Sequence, residues 1–260
     1  AETRRIVGGL CRDERILLHG QVLPNSGSLG SVLRAMEDTV THHRIRAWKT
    51  FTHFPDFFDP GGGAWWLDDH ERGLPAVGEP FIRKSLELGI PTICVHKGLS
   101  GGSRYSSPMD VGPAARTHRD ANFVVYHSGY ESGTFEGPYT AATAEVGVNR
   151  LIASLERAGI GPNENVYAEL GTTWWNVMRT PTQAAHVLGK LLKHVGEDNV
   201  VWGTDCLFYG SPQPQIQAFR AFHISDEFQE RYGYPKLTKE LRAKVLGLNA
   251  ARLYGIEPVP

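Results

Sequence analysis

Five side chains of types that ligate metals or move protons close successive β-rich runs of the sequence: Lys49, His96, His127, Glu169 and Asp205. They follow one another at 47, 31, 42 and 36 residues. Each interval matches one βαβ unit, on the order of 30 residues or more. Parallel strands carry their C-terminal ends to one face, so residues this far apart along the chain can meet there. Neutral imidazoles and a carboxylate are the usual ligands of Zn²⁺ and related divalent ions. A lysine ammonium cannot ligate, but the carbamate formed when carbon dioxide adds to the amine offers two oxygens. Lys49, His96, His127 and Asp205 are therefore candidate metal ligands. Plainer readings stand beside these. His96 and His127 could be core histidines bonded to backbone carbonyls. Asp205 follows Gly203-Thr204 and could cap a turn. Lys49 could be a solvated or anion-binding lysine. Glu169 is open between orienting a neighbour, touching substrate and pairing with an arginine.

The elements that must position these groups form a repeating pattern of β-rich run, loop and amphipathic helix. The runs begin with Ile16–His19 and continue as 45–49, 92–96, 122–127, 165–170 and 199–205. Leu29, Val32, Leu33, Met36 and Val40 share one face of a helix starting near Ser28. Further helices are expected at about 79–88, 109–118 and 144–158. Another opens at Thr180-Pro181, where Thr as cap and Pro at the first position fit a helix start. The tail after about residue 213 reads as helical to 254. Near-continuous apolar strands alternating with helices mean a parallel sheet covered by helices. No glycine-rich phosphate motif follows any strand, which weakens the nucleotide-binding versions of that architecture. A long loop at 52–78 interrupts the pattern. Its aromatic stretch (Phe51, Phe54, Phe57, Phe58, Trp65 and Trp66) is expected to form a lid or an oligomer contact. His53 and His70 lie in this loop, and nothing in the sequence favours either for a site. His19 ends the first run as a site residue or a packing residue. His42, His43, His118, His186 and His194 read as structural or exposed.

The composition narrows the partners. The 260 residues hold 27 Lys and Arg against 28 Asp and Glu, a net charge of -1. That balance argues against nucleic acid or an anionic membrane as the main partner. No apolar run approaches the roughly 20 residues of a spanning helix. The three cysteines, Cys11, Cys94 and Cys206, contain no CxxC pair, and a reducing, cytoplasmic setting is the expectation. Lys97, Arg104, Tyr130, Trp174 and Trp175 follow strand ends and are expected to rim a pocket. Cations beside aromatics suit a planar or carboxylate-bearing organic substrate.

Several stretches together resemble the amidohydrolase superfamily: Ala47-Trp48-Lys49, Thr92 to Gly98, Asn122 to Gly129, Val200-Val201-Trp202-Gly203-Thr204-Asp205, and Leu246-Gly247-Leu248-Asn249-Ala250-Ala251-Arg252-Leu253. They look most like its aminocarboxymuconate-semialdehyde-decarboxylase-like branch, amidohydrolase family 2. The likeness runs from about residue 16 to 255. It implies a (β/α)8 barrel with a divalent metal at its C-terminal face, Zn first and Mn or Fe next, as one or two ions. It also implies a HxH pair of ligands on the first strand, and the sequence contains no HxH. If Asp205 closes the eighth strand, the run at Ile16 is the third. Six β/α units are then present, within one barrel domain over 1–260. The first two are expected from upstream sequence or from a partner chain, and an oligomer is expected. The implied roles are Asp205 as proton acceptor from a metal-bound water, His96 as ligand, and His127 as ligand or donor to the substrate oxygen. Carbamylated Lys49 would bridge two metals in a binuclear site; with a single metal it would be an unmodified contact. Glu169, with the rim residues, would touch substrate. Hydrolysis of a C–N or C–O bond is the leading reading. Non-oxidative decarboxylation and a non-catalytic barrel subunit are the alternatives.

Overall fold

The computed structural model describes residues 2, 5, 6, 9, 16–53, 64–69, 76–99, 103–206 and 208–258. Six strands form one parallel sheet in sequence order: β1 (Leu18–Gln21), β2 (Ile45–Phe51), β3 (Thr92–His96), β4 (Asn122–Tyr126), β5 (Val166–Glu169) and β6 (Val200–Val201). Lys49 pairs in register with Cys94, Cys94 with Val124 and Val124 with Tyr167. All six strands therefore end on one side of the sheet.

Between the strands lie α1 (Leu29–His42), α2 (Gly78–Glu87), α3 (Val111–Thr117), α4 (Asn149–Ala158), α5 (Gly171–Val177) and α6 (Pro181–His194). Their starts follow local chemistry. The Ser28 hydroxyl accepts from the Ser31 N–H at the head of α1, satisfying a backbone donor the helix cannot. α4 stops at Gly159, whose φ of 67° is left-handed. After β6 come α7 (Gln213–Ala221), α8 (Asp226–Tyr232), α9 (Lys239–Ala243), a π-helical turn at Lys244–Leu248 and α10 (Asn249–Tyr254).

Strand side chains alternate between the two faces of the sheet. Trp48, Ile93, Val95, Phe123 and Val125 enter the main core beneath the helices. Ala47, Cys94, Val124, Tyr167 and Val201 form a second, smaller cluster on the other face. Leu253 and Tyr254 of α10 pack on that second cluster together with Tyr126. The sheet is thus covered by the interstrand helices on one face and by the chain's last helix on the other.

Several sequence expectations change here. The segment after β5 is the helix α5, not a rim loop. Trp174 is fully buried within it, donating to the Gln215 carbonyl at 3.0 Å. Lys97 is also fully buried, in an ion pair with Asp110 at 2.8 Å. Tyr130 belongs to the main core. Within the aromatic stretch, Trp65 packs edge-on against Phe81 in the core. Phe54, Phe57, Phe58, His70 and Cys11 lie outside the described residues.

Candidate active site

The strand ends bring the predicted chemistry together on the face that α10 covers. His96 closes β3, and its ring centroid lies 4.7 Å from that of His127 and 4.8 Å from that of His53. Phe51 stacks on His96 at 5.4 Å. The His96 Nε2 is buried without a hydrogen-bond partner. Burial, then the neighbouring charges of His127, Lys49 and His53, push its pKa down to about 2. This imidazole stays neutral and keeps a bare nitrogen.

His127 follows β4 in a left-handed turn. Its φ is 57° and that of Ser128 is 50°. Two successive left-handed residues other than glycine are costly, roughly 1–2 kcal/mol each. β5 and α5 hold the turn. The His127 N–H donates to Glu169 Oε2 at 2.9 Å. The Ser128 hydroxyl donates to the Glu169 carbonyl at 2.8 Å. The Thr173 hydroxyl donates to the His127 carbonyl at 2.6 Å. The Thr172 N–H donates to His127 Nδ1 at 3.3 Å. In the neutral ring the proton then sits on Nε2, which becomes a donor. Burial lowers the His127 pKa to about 4, although Asp205 pulls it back up.

Asp205 also takes a left-handed backbone, with φ 50°. Its Oδ2 accepts from the Thr172 hydroxyl at 2.5 Å. Glu169 is buried, which raises its pKa to about 7. Gly203 makes room for it: a Cβ there would lie 1.4 Å from Glu169 Oε1. Lys49 extends over the Tyr126 ring, its Nζ 3.4 Å from the centroid. That Nζ is buried with no hydrogen-bond partner. Burial lowers its pKa to about 8, against the pull of Cys94, Glu169 and Asp205. A cavity of about 270 Å³ is lined by Tyr126, His127, Glu169, Gly203 and Asp205 from the strand ends, and by Ala250 and Tyr254 from α10. A larger groove, about 770 Å³, lies between α3 and α4. Its arginines are already engaged there: Arg116 donates to the Ala158 carbonyl and Arg157 pairs with Glu145.

Among the described residues no three His, Cys, Asp or Glu side chains are arranged to hold one ion. His96 offers the bare nitrogen a metal needs. His127 does not, because its Nδ1 is taken and its Nε2 carries the proton. Asp205 has one oxygen committed to Thr172. His53 is the site neighbour that sequence reading passed over. It sits two residues past Phe51, and its buried position against His96 is the only mark that distinguishes it. Arg104 remains exposed and lies along the Tyr105 ring.

A family model described as Amidohydrolase matches residues 12–256, and the chain belongs to that family. Divalent metals are general in the family. No curated protein matches the chain. Among solved structures it is similar to an uncharacterised TIM-barrel protein from Bordetella bronchiseptica, with 15% identity and a TM-score of 0.55. That match covers 92% of this chain and 66% of the other, so the chain spans about two thirds of its relative's length. It is also similar to IDCase of Metarhizium anisopliae in its apo form, with 17% identity and a TM-score of 0.57, covering 99% of this chain and 68% of that one. These likenesses establish an α/β fold of TIM-barrel type. None of the described helices is long and apolar enough to cross a membrane.

Proposed function

We propose that this chain hydrolyses a C–N or C–O bond, as in an amide, lactone or ester, of a small planar substrate bearing a carboxylate. One observation carries the reading: a carboxylate, two neutral imidazoles and an ammonium without a hydrogen-bond partner cluster at the C-terminal strand ends, around or beside one small cavity. Asp205 acts as general base. It takes the proton of the attacking water and returns it to the departing nitrogen or oxygen. The His127 Nε2–H donates to the carbonyl oxygen as negative charge develops there. Lys49 pairs with the substrate carboxylate, which supplies the partner its Nζ lacks. Glu169 holds the His127 turn in place. Thr172 touches both Asp205 and His127 and sets their separation.

The family's divalent ion, with Zn the first candidate and Mn or Fe next, requires ligands beyond those clustered among the described residues. His96 is the residue suited to contribute one. The remainder would come from preceding sequence or from a partner chain, the same source expected for the first two β/α units.

The test is turnover in ¹⁸O-water over a panel of aromatic and heteroaromatic amides, lactones and carboxylic acids. One ¹⁸O in the product acid is the expected result. Release of carbon dioxide without ¹⁸O incorporation would replace this reading with decarboxylation. Asp205→Asn should lower turnover by on the order of 10²-fold or more while keeping the fold; unchanged turnover would remove Asp205 from the base role.

A further inference from the structure

α10 reaches the site from the far end of the chain. Its start is fixed beside β6: Asn249 is buried, and its amide donates to the carbonyls of Glu197 and Val200, both at 2.8 Å. From that anchor the helix carries Leu253 and Tyr254 onto the second face of the sheet. The Tyr254 hydroxyl meets Cys94 Sγ of β3 at 3.5 Å. Its ring lies 5.5 Å from that of His19 on β1. Tyr254 thus meets β1 and β3 while the start of its helix is held beside β6. Ala250 and Tyr254 line the same cavity as His127, Glu169 and Asp205.

We infer that Tyr254 is a specificity-determining residue, and that α10 is the wall that limits the site to substrates about the size of a single ring. The volume supports this. About 270 Å³ falls at or below the small end of ligand pockets, roughly 300–1,000 Å³. Cys94 and Ala47 belong to the cluster Tyr254 covers, with the His19 ring beside it. Shortening Tyr254 deepens the cavity toward those residues. Enlarging Ala250, one turn earlier on the helix, fills it from the same side. The two changes act in opposite directions on size selection. A tyrosine that merely stabilises the fold would give neither pattern.

The inference deepens the proposed function and borrows from it only the carboxylate used in the first probes. Binding of benzoate and 2-naphthoate to the whole chain is measured by calorimetry, beside the neutral benzamide and 2-naphthamide. The wild type should bind the one-ring acid and reject the two-ring acid. Tyr254→Ala should gain affinity for 2-naphthoate by on the order of 10-fold or more. Ala250→Leu should lose benzoate affinity by a similar factor, about 10-fold. Tyr254→Phe, which keeps the ring, should retain the wild-type size limit, and circular dichroism checks that each variant is folded. An unchanged size limit in Tyr254→Ala together with unchanged benzoate binding in Ala250→Leu would overturn the inference. So would failure of all four probes to bind any folded variant. If only the neutral probes bind, and the two variants still shift the size limit, the wall stands and the carboxylate substrate of the proposed function falls.

Discussion

Lys49 brings its ammonium into a buried position, against the Tyr126 ring and without a hydrogen-bond partner. An ion pays a large desolvation cost unless it is paired, and the ring returns only part of it. The lowered pKa, about 8, expresses that cost. A residue kept at such a position for its charge should trade stability for binding. Lys49→Met keeps the length of the stem and removes the charge. It should raise the melting temperature, and it should weaken benzoate binding by on the order of 10-fold or more, as expected when a charged hydrogen-bond partner is lost. Thermal unfolding and calorimetry on one preparation read both effects. A lower melting temperature with unchanged binding would assign Lys49 to the fold. Glu169 and Gly203 show the complementary economy of space. The carboxylate that clamps the His127 turn occupies the volume a side chain at 203 would need, so a larger residue there would displace the Glu169 carboxylate from that turn.

At the scale of elements, His186 links α6 to the C-terminal helices. It is buried among the rings of Phe228 and Tyr232 at 4.8 and 4.9 Å, with Nδ1 3.0 Å from the Tyr234 hydroxyl. Burial, aided by the charge of Lys190, lowers its pKa to about 4. The folded state therefore keeps this ring neutral down to about pH 4, while the unfolded chain protonates it below about 6.5. Unfolding takes up a proton between those values. The stability tied to His186 is complete above about pH 6.5 and falls as the pH drops toward 4. His19, His96 and His127 are depressed in the same direction, so the variant is read by difference. Across this window His186→Phe should reduce the proton uptake on unfolding by up to about one proton, measured by denaturant titration at several pH values. Identical pH slopes in the two proteins would contradict the assignment. His186 read from sequence only as a helix residue, structural or exposed. The strand ends were legible because each near-continuous apolar run breaks at a loop, although His127 and Asp205 lie past the ends of β4 and β6. The alternation of strand side chains could have excluded Lys97: it follows His96 directly, and it is buried against Asp110 instead of rimming the pocket. Trp174 was misplaced because α5 begins at Gly171 straight after β5, with no polar cap or loop to announce a helix. His53 was illegible because its contact with His96 is tertiary. α10 was legible as a helix, but nothing local shows that its last turn lies across the sheet and completes the cavity.

At the scale of the molecule, the sheet is open among the described residues. β1 and β6 each have one strand neighbour among the described residues, and β6 is two residues long. A barrel removes its edges by closing, whereas an open parallel sheet leaves a row of backbone donors and acceptors for another chain to pair with. Beside β1 lies a cavity of about 260 Å³ with a mixed lining, Val22, Leu23, Val32, Ala35 and Met36 beside Gln21, Ser26, Ser31 and Thr39. α10 covers the second face of the sheet, but a helix satisfies its own hydrogen bonds internally and cannot satisfy those of β1 or β6. The edges therefore call for strands, and we propose that they are supplied by preceding sequence, a second copy or another chain. Light scattering over a wide concentration range should show a mass above that of one chain, or a second component that co-purifies. Hydrogen exchange on the same samples locates the contact: the amides of β1 and β6 should slow on association while those of β3, already paired on both sides, stay constant. A single-chain mass at every concentration, with β1 amides as protected as those of β3, would mean that this sheet is stable with its edges open. The partner for the metal ligands would then have to be sought outside strand pairing.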